Sequence, residues 1–263
     1  MLLMKKAEAK CVLPELIEAV KTHVAETVSS ALVEPLMQMA AYYGADAPQP
    51  TFELGATEHV GFVFPIHSWG IPPLVVQFIE RLQIVNNPNP AVFVIFTCGD
   101  ECGYTDRQVN DLLAQKGWTS RHVYSVQMPN NYIVFPGFDV DSKALEEQKK
   151  AEAKCVLPEL IEAVKTDTPM THYRRGSLPY IKSRMIYPQF CQHMMSSKSF
   201  SVTDACTSCG LCAKLCPIGT IELVNGKPTW QEDCTQCLSC IHHCPTRAKP
   251  IIVTGKQIGR AHV

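Results

Sequence analysis

Two short cysteine runs near the C-terminal end of the sequence have the same spacing, and that spacing suits iron–sulfur chemistry. Each run has three cysteines with two residues between neighbours, then a fourth after three further residues and directly before a proline. Three thiolates at this spacing let one tight loop hold three corners of a cubic 4Fe–4S cluster, while the fourth thiolate is directed elsewhere. The first run is Cys206, Cys209, Cys212 and Cys216, and the second is Cys234, Cys237, Cys240 and Cys244.

The fourth cysteine of each run determines how the ligands are shared. In the bacterial two-cluster run, this cysteine binds the cluster of the other run. Zinc is the alternative metal and would make the unit an interaction module, although zinc sites commonly use two separated Cys-x2-Cys pairs or mixed Cys and His ligands. We predict two clusters: cluster A on Cys206, Cys209, Cys212 and Cys244, and cluster B on Cys216, Cys234, Cys237 and Cys240.

The residues between the two runs predict a β-hairpin. Asn225-Gly226 is the strongest two-residue turn signal, and it joins two short strand patterns, Ile221 to Val224 and Lys227 to Trp230. A unit of about 50 residues cannot build a large core, so the clusters are expected to stabilise it. Residues 201–250 resemble a two-cluster bacterial ferredoxin domain, which is a small α+β unit. The resemblance implies one-electron transfer at low potential.

Strand and helix patterns alternate in the sequence before this unit. Val60 to Phe64 and Ala91 to Cys98 are apolar runs typical of buried strands, and Ser120 to Gln127 is a further strand candidate. Thr105 is predicted as the N-cap of a helix that ends near Gly117. Strands separated by helices indicate a parallel sheet with crossover connections, and therefore an α/β domain.

Three loops follow these strands at their carboxyl ends, where open α/β sheets bind ligands. The loops carry the sequences FVFPIHSWGIPP, TCGDECGY and QMPNNY. On these motifs, residues 23–140 resemble the flavodoxin-like domain of flavodoxin–ferredoxin fusion proteins from anaerobic bacteria. The resemblance implies FMN as a cofactor, with its ring flanked by His67, Trp69, Gly70, Thr97 and Gly99.

The N-terminal part of the sequence departs from that family. The segment KKAEAKCVLPELIEAVKT occurs twice without a difference, at Lys5–Thr22 and at Lys149–Thr166. We interpret residues 1–22 as a non-native copy of residues 149–166, with a recent tandem duplication as the alternative. The helical apolar spacing of the copy predicts that the first, central strand and the phosphate-binding Ser/Thr/Gly-rich loop are missing or replaced. We therefore expect an incomplete flavodoxin-like domain that binds FMN poorly or not at all.

Three further segments complete the predicted organisation. A helix is expected between residues 24 and 35. Residues 141–200 are predicted to be a connector, with a charged helix kinked or restarted at Pro158 and then an irregular stretch rich in proline and methionine. Residues 257–263 resemble a sequence encoded by a sequencing adapter, so we expect an artificial tail on a truncated C-terminus, with a natural tail as the alternative.

The overall composition restricts the possible functions. A hydrophobic share of 46%, a charged share of 19% and a net charge of -1 exclude wholesale disorder and leave no basic excess for nucleic acid. Glycine and proline interrupt the uncharged stretch His59 to Phe78, so no membrane span is predicted. Without an export signal, we expect a cytoplasmic protein in which the 13 cysteines form no disulfide framework.

The sequence therefore predicts an electron carrier with a redox partner protein. The alternative is an oxidoreductase that uses a flavin and the clusters on a small molecule, although no acid, base or substrate pocket is recognisable and no catalytic residue is assigned. Cys98 and Cys102, in the second loop, are either redox-active or buried as small apolar groups. The sequence predicts no oligomeric state.

Overall fold

The computed structural model describes residues 2–5, 42–44, 46–54, 58–135, 137–168, 170, 172–198 and 200–248. The helix expected at 24–35, the first repeated segment beyond Lys5 and the adapter-like tail lie outside these residues. The described chain forms an α/β region and a smaller cysteine-rich unit, with helices between them.

A four-stranded sheet lies at the centre of the α/β region. Three strands, β3 (Glu58–Pro65), β5 (Val92–Cys98) and β6 (Ser120–Gln127), are parallel, which confirms the predicted parallel arrangement. The fourth, β1 (Leu2–Lys5), pairs antiparallel with β3, and the strand order is β1-β3-β5-β6. A separate parallel pair is formed by the short strands β2 and β4, at Thr51–Phe52 and Gln83–Ile84.

The strand beside β3 differs from the flavodoxin-like pattern. In a sheet of order 2-1-3-4-5, a parallel first strand would lie at this position. In the described part of the chain, Leu2–Lys5 lies there and runs antiparallel. A sheet edge accepts a short antiparallel strand here, and the helical pattern predicted for the repeated segment lies outside the described residues beyond Lys5.

Helices pack on both faces of the sheet and give the region three layers. On one face, α1 (Pro73–Arg81) and α2 (Thr105–Ala114) join an apolar cluster that includes Phe64 and Phe96. On the other face, α3 (Lys143–Thr166) packs its apolar side chains against β5 and β6. Burial of these apolar surfaces is the main stabilisation of the sheet.

Two helix boundaries differ from the sequence expectation. Thr105 is the first residue of α2 and Tyr104 is its N-cap, because the Thr105 hydroxyl donates instead to the carbonyl of Cys102 at 2.7 Å. Helix α3 does not restart at Pro158 but is continuous through it. An interior proline costs about 3 kcal/mol, and the burial of Leu160 and its apolar neighbours against the sheet offsets that cost.

The stretch predicted to be irregular is in fact largely helical. Residues 179–194 alternate between short α-helices, α4 (Pro179–Ile181) and α5 (Tyr187–Gln189), and two π-helical segments, Lys182–Ile186 and Phe190–Met194. The Tyr187 hydroxyl donates to the carbonyl of Ile71 at 2.5 Å. This helical segment 179–194 is thereby attached to the loop that follows β3.

The cysteine-rich unit contains the predicted hairpin and two short helices. Strands β7 (Ile221–Val224) and β8 (Lys227–Trp230) are antiparallel, which confirms the hairpin. Asn225 and Gly226 have φ angles of 51° and 77°, the left-handed values that a type I′ turn requires. Helices α6 (Leu211–Lys214) and α7 (Ser239–His242) follow the two cysteine loops.

The two parts of the molecule share an apolar cluster. Ile221, Leu238 and Ile241 of the cysteine-rich unit pack with Ile133 and Val134, which follow β6. The unit is therefore held against the α/β region. No helix in the described residues is both long enough and apolar enough to span a membrane.

Candidate functional site

The eight cysteines of the two runs line two small cavities, four to each cavity. Each set combines three cysteines of one run with the fourth cysteine of the other, and four thiolates around one cavity are the donor set of a 4Fe–4S cluster. Among the described residues, no group of three or more His, Cys, Asp or Glu is arranged to hold a single metal ion. The first cavity is lined by Cys206, Cys209, Cys212 and Cys244, and the second by Cys216, Cys234, Cys237 and Cys240.

Left-handed backbone turns curl each run around its cavity. Ser208 and Gly210, between the cysteines of the first run, have φ angles of 58° and 74°. Gln236 and Leu238, at the equivalent positions of the second run, have φ angles of 49° and 59°. Positive φ is uncommon outside glycine, so the loops hold a conformation that must be stabilised by their surroundings.

The second cavity lies deeper than the first. Burial raises the pKa of the Cys234 thiol to about 12 and that of the Cys237 thiol to about 11, and neighbouring cysteines add to both shifts. Cys240 is buried and Cys234 and Cys237 are partly exposed, whereas Cys209 of the first cavity is exposed. Thiols with raised pKa values are protonated at neutral pH, so metal binding at this cavity must displace protons.

A larger cavity of about 490 Å³ lies where the α/β region meets the cysteine-rich unit. Its walls come from the loops after β3, β5 and β6, from the helical segment 179–194, and from the cysteine loop 236–238. The volume lies within the range of small-molecule sites, and aromatic side chains dominate one wall. These are Trp69, Tyr132, Phe135, Phe138 and Phe190.

Three of the five residues predicted to flank a flavin ring line this cavity: His67, Trp69 and Gly99. Burial lowers the pKa of His67 to about 4, so its imidazole is neutral at neutral pH. Its Nδ1 atom is buried and has no hydrogen-bond partner among the described residues. A buried polar atom without a partner is costly, so a bound group that bonded to this nitrogen would remove that cost.

The other two predicted residues, Gly70 and Thr97, are not among those that line the cavity. Gly70 lies under the ring of Tyr187, and a Cβ atom at this position would be 2.3 Å from that ring. The Thr97 hydroxyl is buried without a hydrogen-bond partner among the described residues. Gly70 therefore permits close packing of the Tyr187 ring on this loop.

Trp69 is held in a tight turn that closes the loop after β3. The backbone N–H and C=O groups of His67 and Gly70 bond to each other, both at 2.9 Å, and Ser68 and Trp69 have positive φ angles. The Lys182 ammonium lies 5.4 Å from the centre of the Trp69 ring. The ammonium and the ring thus form a cation–π contact at the cavity wall.

Sequence reasoning missed a polar network that reaches the cavity wall at Asp100 and Asn130. Lys149 is almost fully buried, and its Nζ atom lies 2.6 Å from Asp141 Oδ2 and 3.2 Å from Asp100 Oδ1. The Asn130 side-chain amide donates to Asp100 Oδ2 at 3.0 Å and to Asp141 Oδ1 at 3.1 Å. A Cβ atom on Gly99 would lie 1.6 Å from Asn130 Oδ1, so only glycine fits beside this network.

The missed residues had a partial signal in the sequence. Asn130 and Tyr132 lie in the third predicted loop, QMPNNY, which follows β6 but in which no site residue was assigned. No such signal marked Lys149, because it lies in a helix with many other charged residues.

Cys98 and Cys102 behave as buried groups. Both thiols are almost fully buried in the apolar cluster beneath α1 and α2. A hydrogen bond with the Cys98 thiol, together with burial, raises the pKa of Cys102 far above its ordinary value. Reactive cysteines are accessible and have lowered pKa values, so this pair fits a structural role.

Comparison with known proteins finds a family match for the cysteine-rich unit. Residues 205–249 match the family described as 4Fe-4S dicluster domain. The ferredoxin-like proteins in the nif region of Trichormus variabilis and Trichormus azollae are each 35% identical over 49 residues, which are 18% of this chain and 42% of theirs. The corresponding protein of Nostoc sp. is 33% identical over 49 residues. The chain spans about two fifths of the length of these curated relatives.

The family match falls on the cysteine-rich unit and supports a 4Fe–4S dicluster domain there, with iron–sulfur clusters as its cofactors. No solved structure is significantly similar to the chain.

Proposed function

We propose that this chain is a one-electron carrier in which the eight cysteines hold two 4Fe–4S clusters with exchanged fourth ligands. The observation that carries the proposal is the pairing of the thiols at the two cavities, with Cys244 beside the first run and Cys216 beside the second. In each exchange a reduced partner protein would lose one electron and the chain would gain it, with no atom transferred. The clusters supply this chemistry, and the protein sets their environment.

Metal and sulfide analysis tests the proposal. Chain prepared without oxygen should contain about eight iron atoms and eight acid-labile sulfides, as two cubane clusters require. It should also show visible absorption that dithionite bleaches. A folded, colourless preparation with stoichiometric zinc would overturn it in favour of a zinc-stabilised interaction module.

The large cavity supports a second element of the proposal, a site for the ring system of a flavin. Its volume, its aromatic wall and the unpartnered Nδ1 of His67 suit a planar ring with hydrogen-bonding edges. Among the described residues that line the cavity there is no lysine or arginine to hold a phosphate group, and the carboxylates of Asp100 and Glu101 on the wall are each already paired with a lysine. We therefore propose that the cavity accepts the ring of FMN without strong binding of its phosphate.

Comparison of FMN with riboflavin tests this element separately. If the ring provides the affinity, the two dissociation constants should agree within about threefold, because a binding difference of that size is below 1 kcal/mol. Quenching of flavin fluorescence measures both. A preference for FMN of more than a hundredfold would show that a phosphate site exists and that the ring-only proposal is wrong.

The same cavity favours one alternative function, an oxidoreductase that reduces a small molecule beside the second cysteine loop. This function requires turnover of an acceptor. Steady-state consumption of reduced carrier in the presence of candidate acceptors separates it from electron transfer alone.

A further inference from the structure

The two cysteine loops are equivalent in backbone conformation but differ at one side chain. The first loop reads Cys206-Thr207-Ser208-Cys209 and the second reads Cys234-Thr235-Gln236-Cys237. Ser208 and Gln236 both have positive φ angles and occupy the same position between cysteines. The longer side chain of Gln236 therefore distinguishes the second loop.

Gln236 connects its loop to two other parts of the molecule. Its side-chain amide nitrogen donates to the carbonyls of Met194 at 2.8 Å and Ser196 at 3.1 Å. Its amide oxygen accepts a hydrogen bond from the Tyr132 hydroxyl at 2.8 Å. Gln236 is only 4% exposed, so these bonds are shielded from water and hold the side chain in one position.

The backbone of Gln236 connects the same network to a cluster ligand. Its N–H group donates to the Sγ atom of Cys234 at 3.4 Å. Hydrogen bonds to cluster sulfurs are among the factors that set reduction potentials. A donor beside a thiolate favours added negative charge and therefore the reduced state, so this bond should raise the potential of the cluster that Cys234 binds.

Tyr132 places the large cavity in contact with this network. Its ring lies on the cavity wall together with Gln236 and Cys237. The Tyr132 ring also packs against Phe135 and Phe190, at centroid distances of 5.9 Å and 6.2 Å. A change at the cavity wall can thus reach the thiol of Cys234 through two hydrogen bonds.

The first loop faces different surroundings. Ser208 lies beside the hairpin turn, since a Cβ atom on Gly226 would be 3.1 Å from its Oγ atom. Cys209 is exposed, whereas Cys237 at the equivalent position is only partly exposed and touches the large cavity. The first loop is thus the one open to solvent.

We propose that Gln236 and Tyr132 are positioning residues through which the cavity wall influences the reduction potential of cluster B. Cluster B is then the inner cluster, and cluster A is the outer cluster. The inference rests on the proposed function, because it requires that the eight cysteines hold two clusters. It assigns the two loops different roles: the loop of cluster A is open to a partner protein, and the loop of cluster B adjoins the cavity.

The first test removes one hydroxyl group. Tyr132→Phe keeps the ring on the cavity wall but deletes the hydrogen bond to Gln236. Redox titration followed by EPR measures the reduction of each cluster. The variants Cys209→Ser and Cys237→Ser first assign the EPR signals to cluster A and cluster B. We expect the ratio of reduced to oxidised cluster B at a fixed ambient potential to fall about tenfold. This change corresponds to a reduction potential lower by about 59 mV for one electron. The ratio for cluster A should stay within twofold, and the iron content should stay unchanged.

A second variant and a matched control complete the experiment. Gln236→Met keeps the length of the side chain but deletes all three of its hydrogen bonds, so it should lower the ratio for cluster B further than Tyr132→Phe. Adding Tyr132→Phe to Gln236→Met should then change little, because the two residues act through one bond. Ser208→Ala is the control in the first loop and should leave the ratio for cluster B within twofold.

The outcomes separate the inference from the proposed function. If the wild-type chain did not contain two clusters, the proposed function would be overturned. Wild-type chain with eight irons, in which Tyr132→Phe and Gln236→Met shift neither cluster or shift both equally, would overturn the inference alone. A shift of cluster B in both variants, with cluster A unchanged, would support it.

Discussion

The α/β region and the cysteine-rich unit obtain their stability from different sources. In the α/β region, helices bury apolar clusters on both faces of the sheet, and rings such as Phe62, Phe64 and Phe96 are almost completely inaccessible. In the cysteine-rich unit, the main apolar cluster contains a few side chains, and Ile133 and Val134 come from the preceding region. A unit this small normally needs metal or disulfide cross-links. The comparison teaches that one part of this chain can fold on its apolar core, whereas the other needs its cofactors.

The largest expected effect is the selective loss of the cysteine-rich unit when iron is removed. Apoprotein should lose hydrogen-exchange protection in β7, β8, α6 and α7, because metal binding supplies the folding free energy of such units. Amides of β3, β5 and β6 should keep theirs, because their apolar clusters are intact. Hydrogen exchange with mass spectrometry measures both regions in one sample. Equal loss of protection in the sheet would show that the two regions depend on each other.

Replacing the fourth ligands one at a time should separate the two clusters. Cys216→Ala should damage the cluster of Cys234, Cys237 and Cys240, because Cys216 lines their cavity. Spectroscopy with separately assigned cluster signals measures the loss, and Cys244→Ala provides the reciprocal control. Selective damage by Cys216→Ala to the cluster of the first run would contradict the exchanged arrangement.

A smaller effect, confined to the α/β region, is expected when a substitution creates a cavity in its apolar core. Phe96 is fully buried, with its ring centroid 5.1 Å from that of Phe64. Phe96→Ala should lower the free energy of unfolding by about 3–5 kcal/mol. Denaturant titration of sheet signals measures this loss. Val85→Ala is the control at an exposed apolar residue and should change stability by less than about 0.5 kcal/mol. If Phe96→Ala also removed iron, the two regions would not be separable.

The smallest predicted effect is a pH dependence of the free energy of unfolding that originates at His67 in the cavity wall. Because the folded pKa of His67 is about 4, below the ordinary value of about 6.5, the unfolded chain binds the proton first as pH falls. Stability is therefore complete above about pH 6.5 and decreases toward pH 4, by at most about 1.4 kcal/mol per pH unit. The difference in this slope between wild type and His67→Gln gives the histidine contribution. Identical slopes would mean that His67 is not desolvated.

The sequence predicted the strands and the hairpin because their signals are local. Apolar β-branched runs marked β3 and β5, and Asn225-Gly226 marked the turn between β7 and β8. Residues 179–194 were misinterpreted as irregular because Pro179 and Pro188 interrupt the helical pattern. Pro179 and Pro188 lie near the starts of the short helices α4 and α5, where proline is tolerated.

The candidate site was predictable in part for the same reason. The spacing of the two cysteine runs is a local signal, and each set of four thiols lines one cavity. The contacts between Tyr132 and Gln236 join residues 104 positions apart, and no local pattern reports such a pair. The buried ion pair of Lys149 with Asp141 likewise depends on how α3 packs on the sheet.

The hairpin of the cysteine-rich unit would also affect the kinetics of the proposed electron exchange. Leu223 and Pro228 lie on the wall of the first cavity, and the Lys227 ammonium donates to the carbonyl of Cys206 at 2.9 Å. An apolar cover of this kind keeps water from the part of the cavity that it lines, whereas Cys209 itself stays exposed. Fewer waters would then have to reorient on the hairpin side if a cluster bound there changed its charge, and this would lower the solvent reorganisation of the proposed transfer.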